Sequence, residues 1–435
     1  MTGRKPREIT LRILQRRQSG GFVEDLLETA LARTQLIPED RHLCQQLVYG
    51  IVRWEATLDW LIARKAARAP SKPLLQNILR LGLFQIFWLQ RIPPHAAVNE
   101  TVELARQVGC GSQTGFTNAL LRNYLREFDA TVSLLAGLKA AEPYLGYSHP
   151  QWLVARWQGR WGPDRTAQLM EWNNTPATPF ARVNTLRTEP GRLLPQWREE
   201  GVSYDVFLRD WLPENLVFSF KSHPPLNRLE SFRQGLFYVQ DPSTLLAPLE
   251  LAPQPGEAVL DLCAAPGGKL TFLAALMGNQ GELAAHDLAL QRLKLVEENC
   301  ARLGVTCARP VSPAFFQEDS PAPFDRILID APCSNTGVLR RRVDLRWRIR
   351  PEEIQRLSRR QLDLLRQASA CLKPGGVLVY STCSLEPEEN GRVVKEFLAE
   401  SPEFKLERER ELLPFKDRVD GAYAARLTRK NMDDG

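Results

Sequence analysis

The chain has 435 residues, of which 43% are hydrophobic and 25% are charged, values typical of globular proteins and not of disordered or membrane-spanning ones. At roughly 100–200 residues per domain, this length predicts about two to four domains. The eight cysteines form no CxxC pair and no His/Cys cluster at zinc spacing, which argues against a disulfide framework and a structural metal, and the net charge of +6 is too small to identify a partner.

The first part of the chain has a helical pattern. The N-terminal sequence MTGRKPREITLRILQ is charged and lacks the apolar h-region of a secretory signal. Apolar residues then recur at helical spacing, as in 43–63, with turn formers such as IPPH at 92–95 between the segments. The apolar stretch 74–90 is interrupted by polar residues and short for a bilayer, so it predicts a buried helix. We expect an all-α domain over 1–135 and a cytoplasmic protein with reduced cysteines.

The middle part is mixed. Turn formers at 141–152 indicate a linker. The segment 146–232 combines a helical start, PQWLVARWQGRW, with short β-like runs at 180–186 and 216–220. This pattern predicts a small α/β module.

The C-terminal part, 235–430, alternates short apolar runs with helical patterns, which is typical of parallel strands joined by crossover helices. The runs are AVLDLC (258–263), ELAAHD (282–287), FDRILID (324–330) and GVLVYSTC (376–383). They predict a Rossmann-like, doubly wound α/β domain, in which ligands bind beyond the carboxyl ends of the strands. The residues at or just past those ends are Gly267, Gly268, Asp287, Asp330, Cys333 and Cys383. Either thiol alone fits a buried packing residue, but this convergence favours one shared crevice.

The first of these strand ends indicates nucleoside binding. In DLCAAPGGK (261–269), small residues and paired glycines precede a helical pattern and let backbone N–H groups approach a ligand. The loop lacks the G-x-G-x-x-G spacing of dinucleotide oxidoreductases. Asp287, about twenty residues further on, can accept hydrogen bonds from ribose hydroxyls. Nucleoside binding is therefore favoured over pyrophosphate binding.

Three motifs identify a family. DLCAAPGGK, DAPCSNTG (330–337) and STCSLEPEEN (381–390), in this order, resemble the RNA cytosine-5 methyltransferases that use S-adenosylmethionine, and YVQDPSTLL (238–246) resembles the segment that opens their catalytic domain. VYGIVRWEATLDWLI, HAAVNETVELAR and GFTNALLRN resemble the helical RNA-binding domain of the antitermination factor NusB. The resemblance implies a multidomain protein: an all-α NusB-like domain, a small α/β RNA-binding module and a Rossmann-like methyltransferase domain. The implied substrate is a cytosine of 16S (small-subunit) rRNA.

The resemblance also implies roles for individual residues. Cys383 attacks C6 of cytosine so that C5 can take a methyl group, Cys333 assists product release, and Asp330 hydrogen-bonds the cytosine edge. The implied S-adenosylmethionine site consists of Cys263, Ala264, Ala265, Pro266, Gly267, Gly268, Lys269, Asp287 and Asp330. We expect a monomer without metal or membrane attachment. Because every candidate catalytic group lies after 260, we expect a fragment beginning near 235 to bind S-adenosylmethionine.

Two departures from the family pattern stand out. An acidic residue usually follows the third strand and holds the adenine amino group, but RPVSPAFF (309–316) has none, which leaves Ser312, a backbone carbonyl or apolar contacts as substitutes. Val343 replaces the usual proline, which should loosen its loop slightly.

A run of arginines follows the DAPCSNTG segment. Its members are Arg340, Arg341, Arg342, Arg346, Arg348 and Arg350, arranged around Trp347. A solvated basic face is the common explanation for such a run. Its position next to Cys333 favours phosphate contacts by several of these arginines.

Three other functions fit parts of the sequence. A DNA cytosine methyltransferase would use Cys333 for the attack, but leaves STCS and the NusB-like domain unexplained. An amino-group methyltransferase needs no thiol and normally has an aromatic residue at the position of Cys333. A noncatalytic RNA-binding or ribosome-assembly protein could keep the fold, although the presence of both thiols, Asp330 and the glycine loop argues against it.

Overall fold

The structure, a computed structural model, describes residues 4–66, 68, 70, 72–311 and 324–431. The chain divides into two compact units. The first unit comprises Met1–Thr175 and Leu339–Arg348, and the second comprises Pro176–Val338 and Ile349–Gly435. The first unit therefore includes a short segment from the C-terminal part of the sequence. The domain boundaries at 135, 146, 232 and 235 remain predictions.

The first unit is helical, as predicted. Its helices are α1 (Arg4–Gln18), α2 (Val23–Ala32), α3 (Pro38–Arg53), α4 (Glu55–Lys65), α5 (Pro73–Trp88), α6 (Pro94–Gln107), α7 (Thr114–Arg126), α8 (Phe128–Ala141), α9 (Pro143–Gly146), α10 (Gln151–Asn174) and, from the inserted segment, α16 (Leu345–Arg348). Helix α5 is the buried helix expected at 74–90, and no described helix is long and apolar enough to cross a bilayer. A Cβ added at Gly50 would lie 1.9 Å from the ring of Phe84, so α3 and α5 can pack this closely only because residue 50 has no side chain.

The inserted segment Leu339–Arg348 is anchored by a buried arginine. Arg346 is completely buried, and its guanidinium donates to the carbonyl oxygens of Arg53 (3.2 Å) and Ser148 (3.1 Å). It also donates to Oδ1 of Asn174 (2.9 Å) and to the carbonyl oxygen of Asn173 (3.0 Å). Burial lowers the pKa of Arg346 well below its ordinary value. Neutral oxygens thus compensate for removing this charge from water.

Two further side chains fix the same segment. Asp344 is completely buried and accepts hydrogen bonds from Nε of Arg17 (2.6 Å) and from the backbone N–H of Val23 (3.2 Å). Val343 is also completely buried and belongs to the hydrophobic core of this unit. Val343 therefore packs in the core, a role that was not expected from its replacement of the usual proline.

The prediction that the arginine run contacts phosphates is wrong for two of its members. Arg340 and Arg346 are 4% and 0% exposed, and the guanidinium of Arg340 lies 3.9 Å from the ring centroid of Trp172. A phosphate cannot reach side chains that are packed in this way. Arg342 is exposed and remains a candidate for a phosphate contact.

A small antiparallel sheet begins the second unit. Its elements are β1 (Phe180–Val183), α11 (Pro190–Glu199), β2 (Ser203–Val206), β3 (Val217–Ser222), α12 (Glu230–Arg233) and β4 (Phe237–Val239), with strand order β2-β3-β1-β4. Trp197 of α11 is completely buried, with its ring edge-on to those of Phe218, Phe220 and Phe237 at 5.1–5.6 Å between centroids. Because β4 pairs with β1, this sheet extends into the segment 235–430.

The predicted doubly wound sheet is confirmed. Its elements are α13 (Leu246–Leu251), β5 (Ala258–Asp261), α14 (Gly268–Leu276), β6 (Glu282–Ala285), α15 (Leu290–Leu303), β7 (Ala308–Pro310), β8 (Phe324–Asp330), α17 (Pro351–Ala370), β9 (Leu372–Thr382), α18 (Gly391–Glu400), β10 (Phe404–Leu412), α19 (Pro414–Asp417) and β11 (Ala422–Arg429). The order of its described strands is β10-β11-β9-β8-β5-β6-β7. Strands β5 to β9 are parallel, and β11 and β10 add antiparallel pairs. After β5 the chain adds β6 and β7 on one side of β5, and it then returns to add β8 on the other side. In sheets of this kind, a ligand crevice forms at the carboxyl ends of the two strands where the order reverses, here β5 and β8.

We predict that Arg346→Ala lowers the free energy of unfolding by about 3 kcal/mol, because it leaves several buried oxygens without their donor. Urea unfolding followed by tryptophan fluorescence would measure the change. Arg342→Ala, in the same segment but exposed, is the matched control and should shift the free energy by less than about 0.5 kcal/mol. Equal stabilities of the two variants would contradict the anchoring role of Arg346.

Candidate active site

The two thiols of the DAPCSNTG and STCSLEPEEN segments lie in contact. These segments follow the neighbouring parallel strands β8 and β9, in which Asp330 pairs with Ser381. The loops therefore leave the sheet side by side, and the sulfurs of Cys333 and Cys383 are 3.3 Å apart. Cys333 is 9% exposed, whereas Cys383 is more accessible. The structure thus brings into contact the two thiols that the sequence predicted to share a crevice.

A lysine and an aspartate lie next to the accessible thiol. Nζ of Lys269 donates to Oδ2 of Asp330 at 2.5 Å, and Oγ of Ser381 donates to Oδ1 of Asp330 at 3.2 Å. Burial opposes the charge on Lys269, but Asp330, with a smaller effect from Cys383, raises the pKa of Lys269 above its ordinary value. Lys269 therefore stays protonated and is held by its ion pair with Asp330.

The second thiol has the opposite environment. The hydrogen bond with Cys383 raises the pKa of Cys333 well above its ordinary value, and burial and the negative charge of Glu389 raise it further. Sγ of Cys383 also donates to Oδ1 of Asn335 at 3.1 Å. Cys333 therefore remains a thiol.

A buried glutamate, which the sequence did not single out, links the two loops. Glu389 is completely buried and accepts hydrogen bonds from the backbone N–H of Ser334 (2.8 Å), from its hydroxyl, and from Oγ of Ser384 (2.5 Å). Ser334 follows Cys333, and Ser384 follows Cys383. One carboxylate thus holds the residue next to each thiol.

The flanking residues on the other side of each thiol are held too. Oγ1 of Thr382 donates to Oδ1 of Asn390 at 2.6 Å, and Nδ2 of Asn390 donates to the carbonyl of Ser384 at 2.9 Å. Nε2 of Gln361 donates to the carbonyl of Pro332 (2.9 Å) and to Oε1 of Glu389 (3.2 Å). Glu389 and Asn390 are the last two residues of the STCSLEPEEN segment. The sequence did not indicate their burial, because adjacent acidic residues ordinarily lie on a solvated surface.

The loop 263–269 connects β5 to α14 and depends on its glycines. Gly267 has φ +104°, in the left-handed region that favours glycine. A Cβ added at Gly268 would lie 3.0 Å from the ring of Tyr238 and 3.1 Å from Oε1 of Gln240. The backbone at the start of α14 is therefore held against its neighbours without side chains of its own. Burial raises the pKa of Cys263, so this third cysteine stays a thiol.

Carboxylates surround this loop. Asp287, just after β6, is 5% exposed, and its Oδ1 accepts the backbone N–H of Ala289 at 3.1 Å. Asp261, at the end of β5, is completely buried. Burial first, and then the charge of Asp330, raises the pKa of Asp261 to about 7 despite the opposing charge of Lys269. Ser312, one of the three alternatives for holding adenine, lies outside the described residues.

A buried arginine of the small sheet supports the same loop. Arg182 of β1 is 2% exposed and donates to the carbonyl of Gly268 (3.2 Å) and to Oγ1 of Thr271 (3.1 Å). Its guanidinium lies 4.8 Å from the ring centroid of Phe272 and 5.6 Å from that of Tyr238. Burial lowers the pKa of Arg182 to about 9. Sequence reasoning marked this run as a strand but gave the arginine no role.

Comparison with known proteins identifies the family. The family model of the 16S rRNA methyltransferases RsmB/F matches residues 248–428, the NusB family model matches 4–126, and a ferredoxin-like domain model of RsmF/B-like methyltransferases matches 149–217. The probable ribosomal RNA small subunit methyltransferase B of Bacillus subtilis is 34% identical over 413 residues, covering 92% of this chain and 89% of the relative. The chain belongs to the RsmB/F family of 16S rRNA methyltransferases.

Other members and solved structures agree with this assignment. Ribosomal RNA small subunit methyltransferase B of Vibrio vulnificus is 36% identical, covering 93% of this chain and 95% of the relative. The crystal structure of PH0851 has a TM-score of 0.76 at 25% identity, covering 98% of this chain and 99% of that one. A methyltransferase homolog from Pyrococcus horikoshii has a TM-score of 0.58 at 29% identity, covering 66% and 97%. The predicted fold class of this RsmB/F family member is confirmed.

We predict that Arg182→Met weakens binding of S-adenosylmethionine by about tenfold, the equivalent of one charged hydrogen bond, because the carbonyl of Gly268 loses its donor. Isothermal titration calorimetry on the full chain would measure the dissociation constant. Arg192→Met, at an exposed arginine of the same module, is the matched control. If both variants bind the cofactor equally well, Arg182 does not support the loop.

Proposed function

We propose that this chain transfers a methyl group from S-adenosylmethionine to C5 of a specific cytosine in 16S rRNA, through a covalent bond between Cys383 and C6. The observation that carries the proposal is the pair of sulfurs 3.3 Å apart at the crevice of a methyltransferase fold. Methylation of an exocyclic amine needs no thiol, whereas C5 of cytosine is a poor nucleophile until a thiolate adds to C6.

The residues around the glycine loop fit S-adenosylmethionine. Gly267 adopts the left-handed conformation with which the loop enters α14, and Asp287 can accept hydrogen bonds from ribose hydroxyls. The carboxylates of Asp261 and Asp330 favour a positively charged ligand. When bound, the cofactor supplies an electrophilic methyl group on a sulfonium. The holding residues are Cys263, Ala264, Ala265, Pro266, Gly267, Gly268, Lys269, Asp287 and Asp330.

Cys383 is the nucleophile in this mechanism. The sulfur of Cys383, after giving up its proton to water, forms the S–C6 bond. Asp330, held by Lys269 and Ser381, hydrogen-bonds the cytosine edge and supports the charge that develops on the ring. In a mechanism like that of DNA cytosine methyltransferases, Cys333 would be the attacking thiol. The raised pKa of Cys333 favours attack by Cys383 instead.

Cys333 assists release. After methylation, a water molecule takes the C5 proton, the C5–C6 double bond re-forms, and the Cys383 sulfur departs with the electron pair of the S–C6 bond. The thiol of Cys333, 3.3 Å from that sulfur, can donate its hydrogen to the sulfur as the S–C6 bond breaks.

The other parts of the chain position the rRNA. The NusB-like helices and the small α/β module supply RNA affinity, because the proposed reacting groups, Asp330, Cys333 and Cys383, all lie in the methyltransferase domain. We assign the protein to the cytoplasm and expect it to act as a monomer.

The product can be tested directly by bisulfite mapping of rRNA from cells with and without the gene. We expect one cytosine of 16S rRNA to lose its protection when the gene is deleted and to regain it when the gene is restored. An unchanged bisulfite pattern would contradict the proposed C5 methylation.

The roles of the two thiols can be separated by substitution. Cys383→Ala should abolish methylation and form no covalent RNA complex, whereas Cys333→Ala should accumulate a protein–RNA adduct that survives denaturing gel electrophoresis, because the adduct cannot resolve. Cys307→Ala, at a cysteine outside the crevice, is the control and should methylate normally. An adduct with Cys383→Ala but not with Cys333→Ala would reverse the two roles.

A further inference from the structure

Helix α15 packs against the glycine loop 263–269 through one of its faces. Arg292, Val296 and Asn299 follow one another at intervals of four and three residues along this helix, a spacing that places them on the same side. A Cβ added at Gly267 would lie 3.4 Å from Cα of Val296, so the loop lies directly on the helix. The two polar residues of this face are therefore next to the backbone of the loop.

Both polar residues hold carbonyl oxygens of the loop. Nη2 of Arg292 donates to the carbonyl oxygen of Ala265 at 2.9 Å, and Nδ2 of Asn299 donates to that of Pro266 at 3.0 Å. The arginine of the small sheet holds a third carbonyl, at the start of α14. Side chains outside the loop therefore fix the conformation of its backbone.

Arg292 differs from Asn299 because its guanidinium also reaches Asp287. Nη1 of Arg292 lies 3.3 Å from Oδ2 of Asp287, whereas Nη2 makes the hydrogen bond to the loop. Two amino groups of one planar guanidinium thus connect two parts of the crevice, and the single ammonium of a lysine could not reproduce this geometry. In the proposed function, Asp287 is the acceptor for the ribose hydroxyls of the cofactor.

The contacts of Asp287 leave acceptor sites for a ribose. An ionised carboxylate has about four such sites on its two oxygens. Oδ1 accepts the backbone N–H of Ala289 at 3.1 Å, and Oδ2 faces Arg292. About two sites therefore remain, which matches the two hydroxyls of a ribose. Because both oxygens are held, the direction of the remaining sites is fixed.

A solvated ion pair is the common explanation for an arginine beside a carboxylate, and such a pair contributes little to stability. The side chain of Arg292 is 55% exposed, which fits that explanation, but the side chain of Asp287 is only 6% exposed. The hydrogen bond to Ala265 is also not needed for an ion pair. Together these observations indicate that Arg292 arranges the crevice.

We propose that Arg292 is a positioning residue for the cofactor: it aligns the ribose acceptor Asp287 with the glycine loop. This inference rests on the proposed function for one point, the binding of the cofactor ribose by Asp287. The contribution of Arg292 to binding must then depend on the ribose hydroxyls of the ligand.

The test measures the binding of two unreactive ligands to the full chain by isothermal titration calorimetry. One is S-adenosylhomocysteine, and the other is its 2′,3′-dideoxy analogue, which lacks both ribose hydroxyls. Arg292→Met should weaken binding of S-adenosylhomocysteine by about fivefold, the upper range for an exposed ion pair. It should weaken binding of the analogue by less than about twofold, because the ribose interaction is missing there and other side chains still hold the loop. Equal losses for the two ligands, or no loss for either, would overturn the proposal.

Two control variants lie on the same helix. Lys294→Met, at an exposed residue, should leave both affinities unchanged. Asn299→Ala removes a donor to the loop but no described contact with Asp287, so it should change the binding of both ligands by the same factor. A ribose-dependent loss in either control as large as that in Arg292→Met would overturn the role of Arg292. If Arg292→Met fails to fold, Arg292→Gln, which keeps a polar head group without the charge, decides by the same comparison.

Failure of the proposed function would give a different result. If the unsubstituted protein binds neither ligand, the proposed cofactor is refuted and the role of Arg292 with it. If it binds both ligands equally well, Asp287 does not hold the ribose, and the proposal is overturned at that point. A preference for the ribose hydroxyls in the unsubstituted protein, with equal losses in Arg292→Met, would leave the cofactor assignment intact and refute the role of Arg292 alone.

Discussion

Burial of the Glu389 carboxylate is the constraint on which the site depends. A carboxylate that is completely removed from water destabilises the fold unless its oxygens are hydrogen-bonded. Besides Gln361, its donors come from two loops that are 50 residues apart in sequence, at Ser334 and Ser384. They can meet only if β8 and β9 keep the register that pairs Asp330 with Ser381. A change in this register would therefore disturb both the hydrogen bonds of Glu389 and the distance between the two sulfurs.

The helical unit also contains a buried charged side chain whose hydrogen-bond partners are neutral groups. Arg346 donates to backbone carbonyls and an asparagine, as Glu389 accepts from serines and an amide. Removing one partner of such an arrangement is costly, whereas exposed ion pairs contribute little. The segment that carries Arg346 begins two residues after the DAPCSNTG motif, so the loop of this motif continues directly into a segment that belongs to the helical unit.

The sequence predicted those features that depend on local pattern. The apolar runs of β5, β6, β8 and β9 alternate with helical segments, and their ends carry the motif residues that the structure brings together. Strand β10 was missed because FKLEREREL alternates charges instead of apolar residues, and its pairing with β11 is a tertiary effect. Arg340, Arg346 and Glu389 were misjudged or overlooked because charged residues ordinarily indicate solvent, and only the three-dimensional contacts reveal their burial.

The expectation that a fragment beginning near 235 binds the cofactor is not supported by the contacts of the small sheet. Such a fragment would separate β4 from its partner β1 and remove Arg182, which donates to Gly268 at the start of α14. It would also remove Asn184, whose Nδ2 donates to the carbonyls of Gly235 (2.7 Å) and Leu303 (2.8 Å). The exposed ends of β4 and α15 would then carry unsatisfied backbone groups. The module therefore acts as part of the structural support of the cofactor loop, in addition to the RNA contacts proposed for it.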